Sequence, residues 1–167
     1  NGAALATPVF LSLYVENDLR LDKYFAETDE KGFRKNKKAG SNNYLCTFRV
    51  GEIYLTAAEA AARLGELSQA RTRLLELMRK RYAPEAYEAK SVVVNAMDKE
   101  ALVQEILDER ARELAFEGHR WFDLRRSTRP RLEKVLDGTR YVLEENDARY
   151  TLAIPKEAIE ANPGLLN

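Results

Sequence analysis

The chain holds one cysteine, one histidine and one tryptophan among its 167 residues. A lone cysteine excludes an intrachain disulfide framework and a zinc site built from cysteines. Cys46 sits in the apolar stretch Tyr44-Leu45-Cys46-Thr47-Phe48 and reads as a small buried hydrophobe. A catalytic thiol would need a base, and one histidine is all there is to supply it. No run of eighteen apolar residues is present, so no segment reads as a membrane-spanning helix, and no secretory signal is visible. An excess of one charge is missing too: Lys+Arg and Asp+Glu are both 27, and the formal net charge is zero. That balance argues against a nucleic-acid partner, which calls for a basic excess. The local cluster Lys31, Arg34, Lys35, Lys37 and Lys38, followed by Gly40-Ser41-Asn42-Asn43, reads as a solvated loop.

What is present is a globular composition, 45% hydrophobic and 32% charged, in a length that suits a single domain over residues 1–167. The apolar run Val9–Val15 suggests a strand, 18–25 a short helical turn, 28–43 polar loop and 44–50 extended chain. From Gly51 the helical signal is strong. Ile53, Ala57, Ala60, Ala61 and Leu64 recur at helical spacing in an alanine-rich segment, and Gly65 is a natural C-terminal cap. Ser68 then caps a second helix with Ala70, Leu74, Leu77 and Met78 on one face. This is a helical hairpin, and its small residues Ala58, Ala61 and Gly65 resemble the tetratricopeptide pattern of close helix crossing. Pro84 breaks the pattern, so 83–97 reads as connector. Asp98 caps a third helix carrying Leu102, Val103, Ile106, Leu107, Ala111, Leu114 and Ala115, which Gly118 ends. Farther on, Tyr141–Leu143 and Tyr150–Ile154 flank the turn-forming Glu144-Glu145-Asn146-Asp147, a candidate β-hairpin. The fold class is mainly α.

The charged stretch Glu109–Arg126 admits two readings. Glu109, Glu113 and Glu117 stand at i, i+4 and i+8 with His119 close behind, so a general base or a cation site can be drawn from these four. No Ser or Thr stands in a nucleophile elbow, and no second Glu-x-x-His completes a dinuclear metal site. The structural reading pairs Arg110 with Glu113, Asp108 with Arg112 and Glu117 with Arg120 along the helix. It turns the chain at Gly118, sets His119 against helix-end carbonyls, and buries Trp121 and Phe122. Arg120, Arg125 and Arg126 then serve buried carboxylates. The structural reading is preferred; catalytic and metal-ligating residues are assigned to none.

Glu109-Arg110-x-Arg112-Glu113-Leu114-Ala115-Phe116-Glu117-Gly118-His119-Arg120-Trp121-Phe122-Asp123-Leu124-Arg125-Arg126 closely resembles the signature of the SusD/RagB family. Phe48–Gly65 resembles that family's Arg-x-x-Glu-(Ile/Val)-Tyr-Leu…Ala-Glu-Ala helix, here Arg49-x-x-Glu52-Ile53-Tyr54-Leu55. Leu152–Leu165 resembles its closing Pro-Ile-Pro…Asn-Pro segment, with Ala153 where Pro is common. Asn17–Phe25 is similar to its shorter Asp-x-Arg segment, here Asp18-x-Arg20.

The resemblance implies a SusD-like helical fold with a tetratricopeptide-type hairpin, a short β-hairpin and long loops, and it places the chain in the C-terminal part of a longer protein. It implies a surface-exposed outer-membrane lipoprotein of Bacteroidetes-type bacteria, held by a lipid anchor outside this chain. Such a protein binds a glycan or other nutrient without chemistry or cofactor, and passes it to a SusC-type TonB-dependent transporter in polysaccharide utilisation. No motif marks the ligand residues, which are left unknown. Phe33, Tyr44, Tyr82 and Tyr87 are the loop aromatics available as stacking platforms, with ordinary packing as the competing reading. The alternative function is a tetratricopeptide-type scaffold for protein–protein interaction.

Overall fold

The computed structural model describes residues 5–38, 49–136, 138–162 and 164. It is mainly helical, and the chain forms two compact units, Asn1–Arg120 and Trp121–Asn167. The first opens with β1 (Leu5–Ala6), α1 (Pro8–Leu11), α2 (Arg20–Tyr24), β2 (Phe25–Thr28) and β3 (Arg34–Asn36). The expected strand at 9–15 begins instead within α1 and continues as irregular chain over 12–15, because Thr7 caps the helix from its side chain and Pro8 stands at the first helical position. The expected loop 28–43 contains β3, which pairs antiparallel with both β1 and β2. Tyr44, Cys46 and most of the extended stretch 44–50 lie outside the described residues, and Val50 already belongs to a helix.

The hairpin is α3 (Val50–Leu64) and α4 (Leu67–Met78), joined by Gly65 and Glu66. Gly65 takes φ +87, the left-handed turn that a C-cap requires. Ser68 lies inside α4 rather than capping it. The buried face of α3 is Leu55, Ala58, Ala61 and Ala62. Ile53, Ala57, Ala60 and Leu64 are exposed instead, so of the apolar stripe read from the sequence only Ala61 is buried. On α4 the expected Ala70, Leu74, Leu77 and Met78 are all buried. The connector 83–97 is in fact α5 (Pro84–Ala96), since a proline at N1 starts a helix as readily as it stops one. Then α6 (Lys99–Glu113) begins at Asp98, whose carboxylate accepts the Ala101 N–H at 2.9 Å. Leu102 and Ile106 close the main core against α3 and α4.

A smaller core gathers Ala6, Tyr14, Phe25 and Ala115, with Phe10 packed on it. Phe116 takes φ +62, an unfavourable angle for an aromatic residue, and edge-on contacts to Phe10 and Phe25 hold it there. α6 therefore ends at Glu113, before Gly118.

The second unit contains most of α7 (His119–Arg126), the hairpin β4 (Leu132–Leu136) and β5 (Thr139–Leu143), and α8 (Lys156–Ala161). Tyr141–Leu143 is a strand as expected, but its partner is β4. Ala148–Tyr150 is a single 3₁₀ turn. Trp121 is half-buried and stacks on Tyr150 at 5.1 Å with an 11° interplanar angle, while Phe122 is 62% exposed. The expectation that both rings are buried is corrected: on an eight-residue helix rich in arginine, only Trp121 finds an aromatic partner among the described residues. Among the described residues no helix is long and apolar enough to cross a membrane.

Candidate functional site

Charged residues from distant parts of the sequence converge on α6. Glu109 and Glu113, four residues apart, face the same way from consecutive turns, and both are fully buried. Burial of two carboxylates demands cations with matching geometry. The first is Arg20, which opens α2 and is 2% exposed. Its Nε and Nη2 bind Asp18 in fork fashion at 2.9 and 2.8 Å. Its Nη1 donates to Glu109 at 2.7 Å and to Glu113 at 3.2 Å, and Nη2 also donates to the Tyr82 hydroxyl at 2.9 Å. All five N–H donors of that guanidinium are thereby used. Backbone bonds from Leu19 to Arg81 and from Ala83 to Asn17 hold the α4–α5 connection against this segment.

Glu113 takes more cations. Arg49, immediately before α3, donates to its Oε1 at 2.6 Å, and Arg81 binds both its oxygens at 2.8 and 2.9 Å. Arg112 reaches back to Glu109 at 2.8 Å and to Glu105 at 2.6 Å. Glu117, beyond the helix, is held by Arg49 at 2.6 Å and by Lys38. Lys38 also sits 4.4 Å from the centre of the Tyr24 ring. Gly51 makes the approach of α3 feasible, because a Cβ there would stand 2.8 Å from Glu113 Oε1.

The electrostatics follow from this geometry. Burial alone would raise the Glu109 carboxyl, but the Arg20 and Arg112 guanidiniums outweigh it and hold it down to about 2. Burial acts against Glu113 in the same way, and Arg81, Arg20 and Arg49 again win, so it too lies below the usual carboxylate range. Burial, followed by the charge of Glu109, pushes the Tyr82 hydroxyl well above its ordinary value. Tyr82 stays a neutral donor to Glu109 at 2.9 Å.

The helix-local pairs read from the sequence are therefore exchanged, Arg112 for other acids on its own helix and Glu117 for partners distant in the chain. Arg112 serves Glu109 and Glu105 rather than Asp108, and Glu117 serves Arg49 and Lys38 rather than Arg120. Arg110 donates to Thr56 at 3.1 Å. Arg126 does bind a buried carboxylate, Asp123, at 2.6 Å. His119 stands outside the network, half-exposed, with Nδ1 3.6 Å from Glu52 Oε1. The set Glu109, Glu113, Glu117 and His119 is thus not one constellation: the two inner glutamates are saturated by arginine, and the imidazole faces another acid. Arg20, Arg49 and Arg81 were not counted as partners from the sequence; two of them carry a signal there, Arg20 in Asp18-x-Arg20 and Arg49 in Arg49-x-x-Glu52.

The loop aromatics separate just as clearly. Tyr82 is 3% exposed within the main core and the ion network, which removes it as a stacking platform. Tyr87 packs half-buried against that core. Phe33 is half-buried, belongs to neither buried cluster, and lines an open cavity of about 460 Å³ with Ala26, Glu27, Asp29 and Lys35.

The class defined by this geometry is a mainly helical protein whose charged motifs close on one another as a buried ionic lock. Residues 14–167 match the SusD family, and the chain belongs to it. It is 31% identical over 115 residues to a SusD-like protein of Formosa agariphila, across 68% of this chain and 22% of that protein. Its fold resembles that of a SusD-like carbohydrate binding protein from Bacteroides vulgatus ATCC 8482, with a TM-score of 0.62 at 20% identity. That match covers 94% of this chain and 40% of the other. The chain thus spans about a fifth of the curated relative and two fifths of the solved one.

Proposed function

We propose that this chain is the C-terminal region, acting as a single domain, of a non-enzymatic protein that binds a glycan or related nutrient at the bacterial outer membrane. In this reading the whole protein is lipid-anchored and surface-exposed, and delivers its ligand to a SusC-type TonB-dependent transporter. The observation that carries it is membership of the SusD family over nearly the whole chain. The Bacteroides vulgatus neighbour, described as carbohydrate binding, supports the ligand class. The saturated state of Glu109 and Glu113 fits a protein that performs no acid–base chemistry with its signature.

Titration of the full-length protein with neutral oligosaccharides tests this, alongside fractionation of the source cells. Saturable binding by an outer-membrane species is expected. A protein that binds none of them and stays out of the membrane fraction favours the interaction scaffold instead.

A further inference from the structure

We propose that Phe33 is the stacking platform of a subsite for one neutral pyranose ring of an oligosaccharide, with Glu27, Asp29 and Lys35 serving its hydroxyls. This rests on the nutrient-binding reading above and gives it a place in the fold.

The turn between β2 and β3 is built to present that ring. Asp29 Oδ1 accepts the N–H groups of Lys31 and Phe33 at 2.9 and 2.8 Å. The Asp29 N–H donates to the Phe33 carbonyl at 2.9 Å, and the Gly32 N–H donates to the Asp29 carbonyl at 3.0 Å. Gly32 takes φ +80, and a Cβ there would meet Pro8 at 3.2 Å, so the turn sits close on α1. A turn fixed this way presents its side chain with little entropy left to lose on binding. Yet the ring so presented joins neither core and makes no aromatic pair among the described residues.

The surroundings specify the ligand. A pyranose offers an apolar C–H face and a rim of hydroxyls. An aromatic face meets the first, and carboxylate acceptors with an ammonium donor meet the second. The side chains of Glu27 and Lys35 make no hydrogen bond or ion pair among the described residues, so both remain available at the cavity edge. The cavity of about 460 Å³ lies within the range of small-ligand sites, roughly 300–1,000 Å³. Two carboxylates against one lysine disfavour an anionic sugar.

The test is calorimetric titration of the full-length protein and its Phe33→Ala, Phe33→Tyr and Lys35→Met variants. The probes are maltohexaose, cellohexaose, laminarihexaose and xylohexaose, with a thermal melt of each protein. At least one probe should saturate the parent protein. Phe33→Ala should weaken it about tenfold or more, Phe33→Tyr should retain it, and Lys35→Met should weaken it less, with unchanged melts. Parent-like affinity in Phe33→Ala overturns the subsite and leaves the nutrient reading standing. A lowered melt in that variant makes the ring a packing residue and also overturns the subsite. A parent protein that binds none of the four overturns the subsite, and it takes the nutrient reading down as well where the protein also stays out of the membrane fraction.

Discussion

Replacing Arg20 by methionine keeps most of the side-chain volume and removes the charge at the centre of the lock. Asp18 then loses both arms of its fork, and Glu109 loses its 2.7 Å partner while keeping Arg112 and Tyr82. These carboxylates are 0% exposed as side chains, so solvent cannot replace what is lost. Removing one member of a buried pair costs about 3–5 kcal/mol. For a chain of this size each kcal/mol lowers Tm by about 2–4 °C, so the variant should melt about 6–20 °C lower. Urea unfolding followed by circular dichroism measures the loss. The pH dependence identifies its cause. Burial still raises Glu109, one of the two guanidiniums that oppose it is gone, and its folded-state carboxyl rises from the parent's value. The variant then gains on the parent protein as pH falls toward about 2, where the parent's Glu109 at last takes up its proton. A loss under about 1 kcal/mol, the value of an exposed pair, would refute the reasoning.

The parent protein should itself be acid-labile. Glu109 is held at about 2 in the fold, so its contribution, on the order of 3 kcal/mol, is complete above the unfolded value near about 4.3. It is lost as pH falls toward about 2, with Glu113 acting in the same direction, and acid titration of stability checks this. Gly51→Ala should cost about 1–3 kcal/mol by urea unfolding, because the Glu113 oxygen that its Cβ would meet is pinned by Arg49 and Arg81 and cannot retreat. Asp98→Ala should cost about 1 kcal/mol by removing the cap of α6. Trp121→Ala should cost less than the about 3–5 kcal/mol of a fully buried aromatic, since the ring is only half-buried where it stacks on Tyr150. Differential scanning calorimetry resolves these last two.

The helices with strong local signals were legible in the sequence. The Asp98 cap, the Gly65 stop and the α4 face follow from spacing and end chemistry, which depend on neighbours in the chain. The α3 face was read one notch off, because alanine on nearly every side leaves the amphipathic stripe to be decided by what packs against it. Pro84 was read as a stop although the same ring starts α5, and only the chain beyond it decides. The strand β3 had no alternating pattern to announce it; Arg34, Lys35 and Asn36 pair because β1 and β2 flank them. The lock was half legible. Its acids share one helical face, and Arg112 at i+3 from Glu109 is within reach of helical spacing, but the other cations come from positions 20, 49 and 81, separations that helical periodicity does not report. The resemblance brought two of these, Arg20 and Arg49, into view as motif residues without saying what they bind. Among the aromatics, Tyr82 and Phe33 looked alike in sequence, and burial alone tells them apart.

The most direct test of the lock is solvent exchange at arginine Nε–H groups, read by nitrogen-15 NMR near neutral pH. The account predicts slow exchange for Arg20 and Arg112, whose Nε–H groups donate to Asp18 and Glu109 in the interior, and fast exchange for Arg149, whose side chain is 67% exposed. If Arg20 exchanged as fast as Arg149, the network would be open to water, and the signature would be free for a role other than holding the fold.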